Sequence, residues 1–153
     1  MPVTAWLILA GFAIPLSIID LREHRLPNVL VAAFTACMIV VLVLTAAIEG
    51  EWYNLGRALI AGFLVAGVAM LCAGFGWWGM GDAKVSFAIA FTLGWLGWSA
   101  VWAGIMVSFT IASVVGVLWI AIRRRSWSSA LPFGPFLFIG VAASGIGTAV
   151  GVI

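Results

Sequence analysis

The sequence predicts an all-α membrane protein in which about six transmembrane helices form one bundle and one domain, residues 1–153. Of its 153 residues, 65% are hydrophobic and only 8% are charged, which is too little charge to cover the surface of a soluble protein of this size. Several apolar runs reach the roughly 20 residues that a helix needs to cross a bilayer. Because the longest polar interruption, DLREHRLPN, has only nine residues, any function is expected in the bundle and its short connections.

Clear polar breaks separate the first three predicted helices. Helix one begins close to Met1 without a preceding Lys or Arg, so we interpret it as a retained helix rather than a signal peptide. Pro27 and Asn28 are expected to end the first connection and to begin helix two. Glu49 and Glu51 mark the break before helix three. The three segments cover residues 3–20, 29–48 and 56–76.

Glycines and other small residues distinguish the last three predicted helices. The stretch GWLGWSA is expected to separate helices four and five, because its glycines and tryptophans are typical of a turn at a membrane interface. Pro132 is expected to open helix six, since proline suits a first helical turn. Helices five and six each carry a stripe of small side chains that would let helix backbones approach closely. These stripes are Gly104, Ser108, Ala112 and Gly116 in one helix and Gly140, Ser144 and Thr148 in the other; the three segments cover residues 83–98, 100–122 and 133–152.

The placement of basic residues predicts the orientation in the membrane. With six spans, six of the seven basic residues fall on one side, and Arg57 alone falls on the other. The positive-inside rule makes the first side cytoplasmic and puts both termini outside. A run of three arginines beside an apolar helix is typical of a topology anchor, so the predicted partner is the lipid bilayer and not a nucleic acid. The six residues are Arg22, Arg25, Lys84, Arg123, Arg124 and Arg125.

Two of the five acidic residues directly abut apolar segments on the predicted cytoplasmic side. Asp20 follows PLSII and Asp82 precedes AKVSFAIAF, so helices one and four could bring them together. Three interpretations are open: a pair of carboxylates that shares a proton and activates water, a structural role such as a helix N-cap at Asp82, or a proton or ion relay. Gly79 and Gly81 have no side chain, so a substrate backbone or the partner aspartate could approach closely.

Other catalytic machinery is not evident in the sequence. His24 is the only histidine, and Cys37 and Cys72 stand alone in apolar runs, so no metal site is predicted. The serines do not form a G-x-S-x-G nucleophile elbow. Because a carboxylate pair hydrolyses a peptide without a metal or a covalent intermediate, no cofactor is predicted.

Three stretches of the chain together resemble the bacterial type IV prepilin peptidases. DLREHRLPN, residues 20–28, resembles the first-aspartate motif of that family, with Leu26 where isoleucine is usual. GMGDAKV, residues 79–85, resembles its GxGD motif, including the lysine two residues after the aspartate. PFGPFLFIG, residues 132–140, is similar to its C-terminal Pro-Phe-Gly-Pro-Phe segment.

The resemblance implies a membrane aspartic endopeptidase in the bacterial inner membrane, with Asp20 and Asp82 as the catalytic pair. Its partners would be prepilin or pseudopilin precursors, cut at the cytoplasmic face between a short basic leader and an apolar helix. Lys84 could hold a substrate carboxylate, tune Asp82 or act as an interface residue. The motif residues expected to bind substrate or shape the site are Gly79, Gly81, Lys84, Pro27, Asn28, Pro132, Gly134 and Pro135.

The resemblance also implies a limit on the activity. Longer members of the family carry a cytoplasmic segment with two CxxC pairs and also methylate the new pilin terminus. The 153-residue chain contains no CxxC pair, so it resembles the short form associated with Flp/Tad-type pili and other secretion systems, and methylation is not expected. The alternatives from other functional classes are a small transporter or channel in which the aspartates relay protons, and a non-catalytic assembly factor of a pilus or secretion system.

Overall fold

The computed structural model describes residues 1–23, 26–76, 79–123 and 133–152, apart from the side chains at positions 120 and 123. Over these residues the protein is all-α, which confirms the predicted fold class, and each helix end lies within four residues of its predicted position. The expectations for Arg25, Arg124, Arg125 and Pro132 concern residues outside this description. The helices are α1 Val3–Glu23, α2 Asn28–Glu49, α3 Trp52–Gly74, α4 Met80–Leu96, α5 Trp98–Arg123 and α6 Gly134–Ala149.

Four of the six described helices, α1, α2, α3 and α5, are long and apolar enough to cross a membrane, and α6 is a shorter apolar helix. Large apolar side chains such as Leu44, Phe63 and Val117 are exposed on the outer surface of the bundle. A surface of this kind matches lipid rather than water. The chain is therefore a multi-pass membrane protein.

Helix α4 is the central element, with most of its length buried by the other helices. Two glycines let α3 and α4 pack backbone to backbone. At Gly94 an added Cβ would lie 2.7 Å from the Cβ of Ala61 and 2.8 Å from the Cα of Ala58. At Gly62 it would lie 3.0 Å from the Phe87 ring. With 17 residues, α4 is about 25 Å long, close to the thickness of the hydrocarbon core.

Arg57 of α3 stabilises the end of α4. Its Nε donates a hydrogen bond of 2.8 Å to the carbonyl of Gly94, and its Nη2 donates one of 2.7 Å to the carbonyl of Trp95. A cation beside the last carbonyls of a helix also interacts favourably with the helix dipole. The chain then turns at Gly97, whose φ of 153° favours glycine, and α5 begins at the next residue. The predicted separation of helices four and five is therefore confirmed.

Part of each predicted stripe of small residues, Gly104 with Ser108 and Gly140 with Ser144, lies at the contact between α5 and α6. An added Cβ at Gly104 would lie 3.5 Å from the carbonyl oxygen of Gly140 and from the Cβ of Ser144, and one at Gly140 would collide with the Ser108 hydroxyl. The Ser144 hydroxyl also donates a hydrogen bond of 2.7 Å across the interface to the carbonyl of Ala100. Small side chains thus let the two helices pack closely, and this packing stabilises their association where lipid provides no hydrophobic driving force.

Candidate active site

The predicted motifs meet at one end of the bundle, where α1 ends and α2, α4 and α6 begin. Asp20 contacts the start of α6, Gly81 packs on Leu26 before α2, and Lys84 binds Asn28 at the start of α2. Arg57 lies at the opposite end of α4. The end of the bundle that carries the motifs is called the motif end below.

Asp20 lies in the last turn of α1 and is only 4% exposed. Its Oδ2 accepts a hydrogen bond of 2.9 Å from the backbone N–H of Gly134, the first residue of α6. The first N–H groups of a helix have no partner within the helix, and they form the positive end of its dipole. The start of α6 therefore compensates a carboxylate that the sequence places, unfavourably, at the negative end of α1.

Gly134 is needed for this contact because of its size. A Cβ at this position would lie 2.8 Å from Oδ2 and 3.3 Å from Cγ of Asp20, so a larger residue would force one of the two partners to move. Pro135 follows within the first turn of α6, where a proline loses no helical hydrogen bond. The proline inside the first turn of α6 is thus Pro135, whereas Pro132, expected to open this helix, lies outside the described residues.

Asp82 is the third residue of α4 and is half-buried. The N-cap position belongs to Gly79, so the alternative that Asp82 is the N-cap residue is wrong. A Cβ at Gly79 would lie 3.0 Å from Oδ2 of Asp82, which shows that the carboxylate folds back over the start of the helix. An acidic side chain in the first turn is favourable there because of the helix dipole.

Two further contacts join the start of α4 to the start of α2. An added Cβ at Gly81 would lie 3.2 Å from the Cβ and 3.3 Å from the backbone nitrogen of Leu26. Two residues beyond Asp82, the Nζ of Lys84 donates a hydrogen bond of 2.8 Å to Oδ1 of Asn28 on the exposed side. The turn that carries Asp82 is therefore attached to the last residues of the Asp20 motif.

The beginning of α2 agrees with the sequence. Pro27 is the N-cap residue in an extended conformation, and Asn28 is the first helical residue, as expected. The contribution of Leu26 was missed: the glycines of GMGD indicated a close approach, but a single sequence does not identify the residue that approaches. Among the residues that the structure describes, no three His, Cys, Asp or Glu side chains cluster in a way that could hold a metal ion.

Comparison with known proteins identifies the family. The model of the type IV leader peptidase family matches residues 7–121. The chain belongs to the type IV leader peptidase family. The matched range contains both aspartates and ends before α6, whose Gly134 binds Asp20.

Three relatives illustrate the similarity, and all are named prepilin leader peptidase/N-methyltransferase. The protein from Aeromonas hydrophila is 30% identical over 142 residues, covering 88% of this chain and 46% of its own length. The protein from Xanthomonas campestris pv. campestris is 26% identical over 144 residues, covering 87% of this chain and 46% of its own length. The protein from Pectobacterium carotovorum subsp. carotovorum is 28% identical over 141 residues, covering 88% of this chain and 48% of its own length. The chain thus spans about half the length of these curated relatives. No solved structure matches it.

Proposed function

We propose that this protein is a membrane aspartic endopeptidase that removes the basic leader from pilin-like precursors, with Asp20 and Asp82 as its catalytic pair. The observation that carries the proposal is that each aspartate lies against a helix N-terminus at the motif end: Asp20 against α6, and Asp82 within the first turn of α4. Two helix dipoles then compensate the negative charge that a carboxylate pair carries during catalysis. Membership of the leader peptidase family supports the same activity.

The chemistry needs only the two carboxyl groups and water. One carboxylate accepts a proton from water while the water oxygen bonds to the scissile carbonyl carbon, and the other carboxyl group donates its proton to the carbonyl oxygen. When the C–N bond breaks, the proton taken from water passes to the leaving amine, and the proton on the former carbonyl oxygen returns to the other carboxylate. The pair is then ready for the next turnover, with one shared proton as at the start.

The glycines and the Lys84–Asn28 pair shape the site. Gly79 leaves room for the Asp82 carboxylate over the start of α4, and Gly81 lets Leu26 pack closely on the same turn. Lys84, bound to Asn28, holds the first turn of α4 in position. Gly134 and Pro135 hold the start of α6 against Asp20.

The motif end faces the cytoplasm in this proposal. Of the basic side chains that the structure describes, Arg22 and Lys84 lie at the motif end and Arg57 at the other. The positive-inside rule then puts the aspartates at the cytoplasmic boundary and the termini outside. A leader that carries positive charge would meet them there.

The direct test is cleavage of a precursor. A candidate prepilin, with a short basic leader followed by an apolar helix, is co-expressed with the protein, and its size is followed on a gel. The expected result is a shortened pilin with the wild-type protein and an intact precursor with Asp82→Asn. An intact precursor in both cases, together with proton flux through reconstituted protein, would favour the transporter alternative instead.

A further inference from the structure

A lateral cleft runs along one side of α4. Among the described residues, α3 and α5 do not pack closely on each other, and a cavity of about 300 Å³ lies between them with α4 as its floor. Its lining is apolar, with Val68 of α3, Ile105 of α5 and Leu93 of α4 among its residues. The two serines in the lining, Ser86 and Ser108, each donate their hydroxyl to the carbonyl four residues earlier in their own helix. The cleft therefore suits an apolar occupant.

The floor of the cleft is the face of α4 that carries Asp82. Ser86, Ile89, Ala90 and Leu93 line it, and they follow Asp82 by four, seven, eight and eleven residues, which is the spacing of one helix face. The Ser86 hydroxyl is bonded at 2.7 Å to the backbone carbonyl of Asp82 itself. An occupant that follows this face towards the start of α4 thus arrives at Asp82.

The other candidate aspartate is connected to the same cleft through α6. Leu137 contributes to the lining and lies one turn after Gly134, whose N–H binds Asp20. Asp82 thus lies in the first turn of α4, and Asp20 is bonded to the first residue of α6. The next turn of each of these two helices lines the cleft. The lining of the cleft thus begins one turn after Asp82 in α4 and one turn after Gly134 in α6.

We propose that this cleft binds the apolar helix of the precursor, the segment that follows the cleaved bond. The proposal rests on the peptidase function proposed above and names the surface that selects its substrate. An apolar helix lying along α4 keeps its other side in lipid, and the cavity receives the side chains of one face. The α4 residues that line the cleft, Ser86 to Leu93, cover about 10 Å of helix, and one further turn towards the start of α4 brings the substrate helix beside Asp82. This geometry explains how one peptide bond is selected in a membrane-embedded substrate.

Two neighbouring residues of α3 provide a matched test. Val68 is 60% exposed and lines the cleft, whereas Met70 is 50% exposed, is not part of the lining and lies on the opposite side of α3. A photo-crosslinking amino acid is placed at either position in the Asp82→Asn background, in membranes that contain a full-length precursor. The expected result is a crosslink to the precursor from position 68, several-fold stronger than from position 70. Crosslinks from position 68 only to lipid, or only to a second copy of the chain, would overturn the proposal.

Obstruction of the cleft gives a second measurement that does not depend on crosslinking. Val68→Trp should raise KM for the precursor several-fold with little change in kcat, and Met70→Trp should leave both unchanged, since both positions are exposed and tolerate a large side chain. Equal kinetics of the two variants would mean that the cleft does not bind the substrate, although the protein is a peptidase. Failure of the wild-type protein to cut any precursor would instead overturn the peptidase function, and the cleft proposal with it.

Discussion

The carboxylate of Asp20 and the backbone N–H of Gly134 are joined by a hydrogen bond of 2.9 Å, although 114 positions separate them in the chain. This bond connects the last turn of α1 to the first turn of α6. It gives a buried carboxylate a partner, which is required because a buried charge without one is costly. It also fixes the direction in which one carboxylate oxygen of Asp20 points.

Gly134→Ala tests whether this direction matters. The new Cβ would lie 2.8 Å from Oδ2, so Asp20 or the start of α6 must shift by several tenths of an ångström or more. A displacement of about 1 Å at a catalytic group can reduce the rate about a hundredfold, so a shift of several tenths of an ångström should lower kcat at least several-fold in a precursor-cleavage assay. Gly67→Ala is the control, because nothing lies within 4 Å of its added Cβ. A Gly134→Ala variant with normal kcat would show that Asp20 needs no fixed orientation.

The Lys84–Asn28 hydrogen bond leads to a second prediction. If Lys84 acts by holding the first turn of α4 against α2, Lys84→Ala and Asn28→Ala should lower kcat by similar factors, and the double variant should be no slower than either single one. Lys84→Arg keeps a donor and should retain more activity than Lys84→Ala. The measurement is a double-mutant cycle on kcat and KM.

A multiplicative result in this cycle would contradict the positioning role. In that case the effect of the double variant equals the product of the two single effects, and the Lys84→Ala effect is confined to KM. Lys84 would then contact the substrate independently of Asn28. Because the pair is exposed, neither substitution should change the thermal unfolding of the protein by much.

The sequence alone predicts the helices well but not which residues meet between them. The number of helices follows from the apolar runs, and the break at Gly97 follows from the glycines and tryptophans around it. The stripe of Gly104 and Ser108 predicted a close helix contact, and α6 supplies it. These features are local, since composition and spacing along one segment determine them.

The candidate site depends on contacts that are distant in the sequence. Asp20 and Asp82 could be selected because charge beside an apolar span is rare, but nothing in the spacing of residues indicates that Asp20 binds Gly134. The partner of Gly81, Leu26, is equally hidden in a single sequence. The N-cap interpretation of Asp82 is wrong because Gly79, with extended backbone angles, takes that position and α4 begins earlier than expected.

The proposed orientation is tested with two exposed glutamates. Glu23 lies at the end of α1 beside the motif end, and Glu49 lies at the end of α2 at the other end of the bundle. In a chain with Cys37 and Cys72 replaced by alanine, Glu23→Cys should react with a membrane-impermeant thiol reagent only from the cytoplasm. Glu49→Cys should react only from outside. The reverse labelling would put the aspartates at the wrong face for a leader that remains in the cytoplasm.

The last prediction concerns the catalytic pair itself. Asparagine has the size of aspartate but cannot accept and return a proton, so Asp20→Asn and Asp82→Asn should each abolish precursor cleavage. Groups that act as a unit are not additive, and the double variant should be little slower than either single one. Stability should be kept in the Asp20→Asn variant, because the amide oxygen of the new side chain can still accept the hydrogen bond from Gly134 and a neutral group near lipid costs less than a charged one.

The control for this pair is Glu23→Gln, an exposed carboxylate of α1 one turn away from Asp20. It removes the same charge from the same end of the bundle, so it should keep most of the activity if the loss at Asp20 is chemical rather than electrostatic. Thermal unfolding in detergent, measured for each variant, separates a catalytic loss from misfolding. If a well-folded Asp20→Asn or Asp82→Asn protein cut its precursor at the wild-type rate, water activation by the two carboxylates would be wrong, and a proton-relay role would have to be tested by flux measurements.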